Sequence, residues 1–146
     1  MKRRKVLFVC TGNTCRSPMA EALLRRQIKA KKIKFVDVAS VGLRVEKDAV
    51  IHPFSAQVLA ENGLTMPNFH PRQLTDKIYR NAFVVITMTD AQKAYFKGAP
   101  KVYSMSEVAD GIEIPAPYGG GIEAYRAAFA LLSEAAEKIA DSIAGK

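Results

Sequence analysis

Short apolar runs alternate along this chain with longer stretches in which apolar residues recur at helical spacing. Four of the runs, at residues 5–9, 35–41, 82–87 and 101–103, are too short for helices and predict strands. Because a helical stretch separates the first strand from the second, these two strands are expected to pair in parallel through a right-handed crossover.

Helical spacing predicts five helices. Ser17 suits the N-cap position of the first helix and Pro18 its first helical position, and this helix is expected to end near Lys29. The other four are expected at residues 52–62, 75–80, 90–96 and 122–144. The last has one apolar face, which predicts a long amphipathic helix packed on the sheet. Residues 112–121, rich in proline and glycine, predict an irregular loop.

This alternation of strands and helices predicts a doubly wound α/β fold. We expect three layers, with a four-stranded parallel sheet flanked by helices on both faces. With 146 residues, the chain is expected to form a single domain, residues 1–146, that buries a continuous core. Ligands of such sheets bind beyond the carboxyl ends of the strands, so the loop after the first strand is the first candidate for a site.

The composition excludes several classes of protein. Hydrophobic residues make up 49% of the chain and charged residues 25%, a balance that excludes a disordered chain. The net charge is +8, but the basic residues are dispersed with few aromatic residues beside them, so no nucleic acid partner is expected. No apolar stretch is long enough to span a bilayer, and no membrane partner is expected. The two cysteines share one loop and cannot form a disulfide framework, which predicts a cytoplasmic protein.

The segment 9–18, with the sequence VCTGNTCRSP, connects the first strand to the first helix and carries the most specific chemistry of the chain. Five residues separate Cys10 from Arg16, few enough for the backbone amides to curl into a cradle around a phosphate. Gly12 and Asn13 suit such a cradle because both tolerate left-handed backbone conformations. The predicted phosphate-binding residues are Thr11, Gly12, Asn13, Thr14, Cys15 and Arg16.

Cys10 is the predicted nucleophile of this loop. The loop amides, the amino terminus of the following helix and Arg16 all favour the thiolate form of its side chain. The Ser17 hydroxyl is placed to donate a hydrogen bond to the sulfur and to stabilise it as a leaving group. The planar guanidinium of Arg16 would hold the phosphoryl oxygens of a loose transition state, a geometry that lysine does not reproduce.

The loop, with its strand and helix, resembles that of the low-molecular-weight protein tyrosine phosphatase family. Further matches cover nearly the whole chain and include Ser40, Gly42, residues 70–74, Met88 and residues 117–120. The resemblance implies a four-stranded parallel sheet flanked by helices. It also implies that Cys10 attacks phosphorus to form a phosphocysteine, which water hydrolyses without a metal or a cofactor. The implied partner is a phosphorylated protein or inorganic phosphate, and the oligomeric state stays open.

One position departs from the family pattern. The family's general acid is an aspartate immediately before the Pro-Tyr pair, where this chain has Ala116. General acid–base catalysis contributes about 10²- to 10⁴-fold in rate, so turnover should fall while binding of phosphorylated ligand survives. Because the rest of the site is retained, we expect a substrate-trapping Asp-to-Ala variant; the alternative is a natural member that binds phosphate without efficient turnover. The spacing of Asp110, Glu113 and Glu123 marks none of them as a replacement acid.

Thr14 bears on the identity of the phosphorylated group. Family members that act on phosphotyrosine usually have an aliphatic residue there, and the bacterial protein-arginine phosphatase branch is more similar at Thr14 and at Thr11. A hydroxyl exchanges hydrogen bonds with a guanidinium, whereas an aliphatic wall suits a phenol ring. Phosphoarginine is therefore the favoured substrate and phosphotyrosine the alternative, unless Thr14 only turns the loop. Tyr118 is expected to line the entrance in either case.

Two supporting roles are implied by the same resemblance. Cys15 would form a reversible disulfide with Cys10 that protects the nucleophile from overoxidation, and the simpler interpretation is a small buried filler. Asn13 and Ser40 would brace the loop, although a serine at a strand end often only caps its own backbone.

Other functions have less support in the residues. His52 and His70 each precede a proline and are typical of loop or helix-start residues, so no metal site is expected. Arsenate reductases share the fold and the loop but use further cysteines downstream, and this chain has none after Cys15. A non-enzymatic phosphate-binding module is the second hypothesis, and restoring an aspartate at residue 116 distinguishes it from an enzyme.

Overall fold

The computed structural model describes residues 2–145, which fold into four strands and six helices. The strands are β1 (Arg4–Cys10), β2 (Val36–Gly42), β3 (Val84–Thr87) and β4 (Val102–Ser104). The helices are α1 (Arg16–Ala30), α2 (Pro53–Glu61), α3 (Asp76–Asn81), α4 (Asp90–Ala94), α5 (Met105–Val108) and α6 (Ile122–Ala144). Every predicted strand and helix is present, with ends within about two residues of those predicted.

The four strands form one sheet in the order β2-β1-β3-β4, and every neighbouring pair is parallel. This confirms the predicted four-stranded parallel sheet. At the carboxyl end of β1, Cys10 is paired with Gly42 of β2, and Val9 is paired with Thr87 of β3. The chain passes to β2 on one side of β1 and to β3 on the other, and such a switch point opens a crevice for ligands. The loop after β1 emerges at this crevice.

The two faces of β1 belong to separate apolar clusters. On one face, Val6 and Phe8 pack with residues of α1 and α6. On the other face, Leu7 and Val9 pack with partly buried residues of α3 and of the turn after α4. Because helices cover both faces, residues 6–10 of β1 form a continuous apolar run without a polar face. The predicted three-layer arrangement is confirmed.

The long helix α6 has the predicted bounds and packs most extensively along α1. Its buried side chains include Tyr125, Ala128, Leu132, Ala136 and Ile139, whereas Ile143 is only partly buried. Burial of each large apolar side chain contributes about 1.5–3 kcal/mol to the stability of the fold, so the packing of α6 stabilises the layer that covers this face of the sheet. In the part of the chain that the structure describes, no helix is long and apolar enough to cross a membrane.

The start of α1 differs from the prediction, because Ser17 is not its N-cap. Cys15 occupies that position, which places Ser17 second and Pro18 third in the helix. The Ser17 hydroxyl instead contacts the Cys10 sulfur and the Asn13 amide. The loop therefore engages the side chain that would otherwise cap the helix.

The short helix α5 is absent from the predicted elements. It has only four residues, too few for helical spacing of apolar residues to emerge from the sequence. Its start does carry a visible signal, a capping box in which the Glu107 carboxylate accepts the backbone amide of Ser104 at 2.9 Å.

Candidate active site

The predicted phosphate-binding loop is held at both ends by regular structure. Cys10 is the last residue of β1, and Arg16 is the first residue of α1. Asn13 adopts the left-handed conformation, with a φ of 58°, as predicted. The same prediction for Gly12 was wrong, because its φ lies outside the left-handed region and the nearest atom to an added Cβ would be Thr14 Oγ1 at 3.7 Å. Neither backbone conformation nor crowding within the chain explains this glycine.

The Cys10 side chain is buried and in contact with Ser17. Its Sγ lies 2.9 Å from the Ser17 Oγ. The Asn13 side-chain amide donates to that same Oγ at 2.7 Å. Since the hydroxyl oxygen accepts from Asn13, its own hydrogen is free to point at the sulfur. Ser17 is therefore oriented to stabilise a thiolate at Cys10.

Asn13 is the centre of a hydrogen-bond network that runs from the loop to the surface. Besides Ser17, its amide donates to the Ser40 Oγ at 3.0 Å, and its Oδ1 accepts the backbone amide of Arg72 at 2.9 Å. Ser40 in turn donates to Glu21 Oε1 at 2.7 Å. Burial raises the pKa of Glu21 above its ordinary value, which the bond from Ser40 and the charge of Arg25 oppose. The network ends at the Glu21–Arg25 ion pair.

The segment after β2 is attached to the loop through its backbone. The Leu43 amide donates to the Cys10 carbonyl at 3.0 Å, and the Arg44 amide donates to the Thr11 carbonyl at 2.8 Å. Gly42 lies so close that an added Cβ would be 2.8 Å from the Thr11 carbonyl oxygen. Only glycine allows β2 to end at this distance from the loop.

Arg16 connects the loop to the irregular segment 112–121. Its guanidinium is buried and donates to the Ile114 carbonyl at 2.9 Å. Burial lowers the pKa of the Arg16 guanidinium, and the nearby Cys10 and Cys15 side chains oppose this effect. One edge of the guanidinium is thus held by the protein backbone, which fixes the orientation of the Arg16 side chain.

A cavity of about 390 Å³ opens over the loop and brings distant parts of the chain together. Its walls include Cys10, Thr11, Gly12, Thr14, Cys15, Arg16, Arg44, Glu46, Ala49, Ala116, Pro117 and Tyr118. The predicted site residues Thr14, Ala116 and Tyr118 therefore share one cavity with Cys10. Tyr118 is 77% exposed, which suits a residue at the entrance. The sequence did not predict that residues 44–49 form part of the cavity wall. The one signal for it is that these residues follow β2, which lies beside β1 and ends at the same edge of the sheet.

Cys15 packs beneath the loop beside an aromatic cluster. Its Sγ lies 3.6 Å from the Tyr125 hydroxyl and 3.6 Å from Thr14 Oγ1, and both cysteines of the chain are free thiols. Burial, followed by the contact with Cys15, raises the pKa of Tyr125. His52 stacks on Tyr125 at 4.7 Å between ring centroids, and its Nδ1 caps α2 by accepting the Phe54 amide. The histidine thus has the predicted position at a helix start.

Gln92, a buried residue of α4, is a further contact of the loop that the sequence did not reveal. Its side-chain oxygen accepts the Met88 amide at 3.0 Å, and its nitrogen donates to Thr11 Oγ1 at 3.3 Å. The contact arises because α4 follows β3, which lies directly beside β1.

The three acidic residues close to Ala116 in sequence all point to partners outside the cavity. These partners are Lys138 for Asp110, the backbone amide of Asp90 for Glu113, and Arg126 for Glu123. The methyl group of Ala116 can neither give nor take a proton. The three nearby carboxylates are directed elsewhere, so they do not replace the acid that the family pattern has at residue 116.

Comparison with known proteins shows which proteins this chain is similar to. A profile of the family described as "Low molecular weight phosphotyrosine protein phosphatase" matches residues 5–146. A low-molecular-weight protein-tyrosine-phosphatase PtpB of Staphylococcus haemolyticus is 33% identical, covering 86% of this chain and 89% of the relative. A protein-arginine-phosphatase of Geobacillus stearothermophilus is 32% identical over 95% of each chain.

A solved structure extends the comparison to three dimensions. It is the YwlE arginine phosphatase in a cysteine-to-serine variant with a phosphorylated active-site serine. The two folds superpose with a TM-score of 0.89 at 28% sequence identity, covering 96% of this chain and 95% of the other. The similarity therefore extends over nearly the whole fold.

Proposed function

The chain belongs to the low-molecular-weight phosphotyrosine protein phosphatase family, whose members are cysteine-based protein phosphatases, and we propose that Cys10 is its phosphoryl-accepting nucleophile. The contact between the Cys10 sulfur and Ser17, at 2.9 Å, is the observation that carries the proposal. A hydroxyl that donates to sulfur stabilises the thiolate before attack and again as a leaving group.

In the first step the Cys10 thiolate attacks phosphorus. A sulfur–phosphorus bond forms, and the bond from phosphorus to the substrate's nitrogen or oxygen breaks. Because Ala116 has no proton to give, the leaving group takes its proton from solvent water. In the second step water attacks the phosphocysteine and loses a proton to solvent, the phosphorus–sulfur bond breaks, and inorganic phosphate and the Cys10 thiolate are released.

Arg16 and the loop amides hold the phosphoryl oxygens in both steps. The bond from Arg16 to the Ile114 carbonyl leaves the other edge of the guanidinium for the substrate. Such positioning and charge stabilisation supply most of the catalysis in a loose phosphoryl-transfer transition state. The phosphate-binding residues are thus residues 11–16, with Asn13 and Ser40 as supports.

Ala116 makes this chain a substrate-trapping variant with low turnover. The cavity, the thiol and Arg16 are all in place, so phosphorylated ligand should bind, but residue 116 cannot protonate the leaving group or activate water. A natural member that binds phosphate without efficient turnover would have the same site.

Phosphoarginine is the favoured substrate. Thr14 supplies a hydroxyl to the cavity wall, and relatives in Bacillus subtilis and Geobacillus stearothermophilus are protein-arginine-phosphatases. Phosphotyrosine is the alternative, because the Staphylococcus haemolyticus relative of similar identity is a tyrosine phosphatase. The exposed ring of Tyr118 suits either group, since it can stack on a guanidinium plane or on a phenol ring.

Restoring the acid tests the proposal. Ala116→Asp should raise the turnover of a phosphorylated peptide by about 10²- to 10⁴-fold, and Cys10→Ser should abolish that turnover. Intact-mass measurement of the parent protein after exposure to substrate should show phosphocysteine or bound substrate. Equal turnover by the parent and the Ala116→Asp variant would contradict the assigned role of residue 116.

The same experiment separates the enzyme from a non-catalytic module that only binds phosphate. A module would bind inorganic phosphate in the cavity, yet the Ala116→Asp variant would release none from phosphoarginine or phosphotyrosine peptides. Turnover by that variant with either peptide contradicts the module.

A further inference from the structure

Glu46 is the only carboxylate among the described residues that line the cavity over Cys10. We propose that it recognises the guanidinium of a phosphoarginine side chain and thereby selects phosphoarginine over phosphotyrosine. This inference rests on the proposed phosphatase function and concerns the same cavity.

The backbone on both sides of Glu46 holds this residue beside the loop. The Arg44 amide donates to the Thr11 carbonyl at 2.8 Å, and the Val45 amide donates to Gln73 Oε1 at 2.9 Å. On the other side, the Ala49 amide donates to the Glu46 carbonyl at 3.2 Å. The position of residue 46 relative to the nucleophile is therefore set by hydrogen bonds, whereas its side chain is exposed at the cavity wall.

The carboxylate of Glu46 is available for a ligand. Within residues 2–145 its oxygens have no hydrogen-bond or ion-pair partner, although the chain has eight more basic than acidic residues. By contrast, the acidic residues near Ala116 in sequence all have partners elsewhere. The base of the cavity is built to bind an anion, and an unpaired carboxylate on its wall can bind a cation at the same time. A phosphoarginine side chain carries both a phosphate and a guanidinium and therefore requires both.

The chemistry of the two candidate substrates differs at this point. With the phosphoryl group held by Arg16 and the loop amides, a phosphoarginine side chain places its remaining guanidinium nitrogens farther up the wall. Guanidinium groups form bidentate, charge-assisted hydrogen bonds with carboxylates. The phenol ring of phosphotyrosine has neither a positive charge nor a donor at the corresponding position. A carboxylate on the wall therefore favours one substrate and contributes nothing to the other.

Arg44 lines the same cavity and has the opposite charge, which provides a matched control. Removing its charge should not weaken binding of a guanidinium, because a cation only repels that group. Glu123→Gln is a second control, since Glu123 pairs with Arg126 and lies outside the cavity wall.

The experiment measures phosphoryl transfer to Cys10 from matched phosphoarginine and phosphotyrosine peptides by time-resolved intact mass. Glu46→Gln keeps the size of the side chain and removes its charge. It should lower the rate with the phosphoarginine peptide by about tenfold and change the rate with the phosphotyrosine peptide by less than about twofold. Arg44→Gln should leave the ratio of the two rates unchanged or raise it, and Glu123→Gln should leave it unchanged. The same substitutions are then made in the Ala116→Asp variant, and the turnover of the two peptides is compared in the same way.

The possible failures are distinguishable. If the parent shows no phosphorylated Cys10 with either peptide and the Ala116→Asp variant releases no phosphate from either, the proposed function fails and the role of Glu46 with it. If transfer occurs but Glu46→Gln lowers both rates equally, or neither, the phosphatase survives and the inference about Glu46 is wrong.

Discussion

Replacement of Asn13 tests whether the hydrogen-bond network gives the phosphate loop its shape. The Asn13 side chain is fully buried, its backbone is left-handed with a φ of 58°, and it bonds to Ser17, Ser40 and the Arg72 amide. Asn13→Gly removes the three hydrogen bonds but keeps a residue that tolerates this backbone. Asn13→Ala removes the same bonds and, unlike Asn13→Gly, keeps a β-carbon, with a residue type that tolerates the left-handed conformation less well than asparagine does.

The two contributions have different sizes. Each hydrogen bond contributes about 0.5–1.5 kcal/mol net, so loss of three should lower the free energy of unfolding by roughly 2–4 kcal/mol in both variants. Left-handed backbone costs alanine about 1–2 kcal/mol. The stiffer unfolded chain of alanine offsets about 0.4–1 kcal/mol of that cost. Asn13→Ala should therefore be less stable than Asn13→Gly by roughly 0.5–1 kcal/mol.

Equilibrium unfolding in urea measures both differences, and phosphoryl transfer to Cys10 reports on the loop. Both variants should transfer more slowly than the parent, because the Ser17 hydroxyl loses the donor that orients it toward the sulfur. If both variants unfold within about 0.5 kcal/mol of the parent, the network does not stabilise the loop. If the glycine variant is not the more stable of the two, the backbone at residue 13 is not strained.

Four further predictions follow from other contacts. Gly42→Ala, whose new Cβ would be 2.8 Å from a loop carbonyl oxygen, should lower the free energy of unfolding in urea by about 1–3 kcal/mol. Gly121→Ala adds a Cβ with no atom within 4 Å and should lower it by less, with only the cost of alanine at the N-cap of α6. Arg16→Lys should slow phosphoryl transfer by about 10- to 100-fold, and an unchanged rate would show that the guanidinium fork is not needed. Burial raises the pKa of Glu21, so its contribution to stability is full below the ordinary value of 4.5 and falls as pH rises through the folded pKa. The difference in unfolding free energy between the parent and Glu21→Gln should therefore fall as pH rises toward neutrality, and a constant difference would refute the assignment. Cys15→Ser should recover less phosphoryl transfer after peroxide and reductant than the parent does, unless Cys15 is only a buried filler.

The sequence predicts the elements of this fold well, because their signals are local. The apolar run of β1 and the helical spacing of α6 reflect burial patterns that each segment carries by itself. One error lies where a tertiary contact overrides a local preference. Ser17 has the right residue type for an N-cap, but its hydroxyl is engaged by Cys10 and Asn13, and the N-cap lies two residues earlier, at Cys15.

The loop chemistry is also local, since Cys10 and Arg16 are close enough in the chain for their spacing to specify a phosphate cradle. The left-handed residue Asn13 belongs to this group, because asparagine tolerates that conformation. What surrounds the cradle is not local. Gln92 and Ile114 contact the loop from segments far along the chain, and their residue types do not predict these contacts.

The sequence by itself thus determined the parallel α/β architecture and the absence of an acid at residue 116, and it predicted the nucleophile and clamp of the proposed site. Only the tertiary structure decided which charges line the cavity. It excluded Asp110, Glu113 and Glu123, which are near Ala116 in the chain, and placed Glu46 on the wall. The physical reason is that parallel strands bring their carboxyl ends to one edge of the sheet, so neighbours in the site are set by strand order and not by distance along the chain.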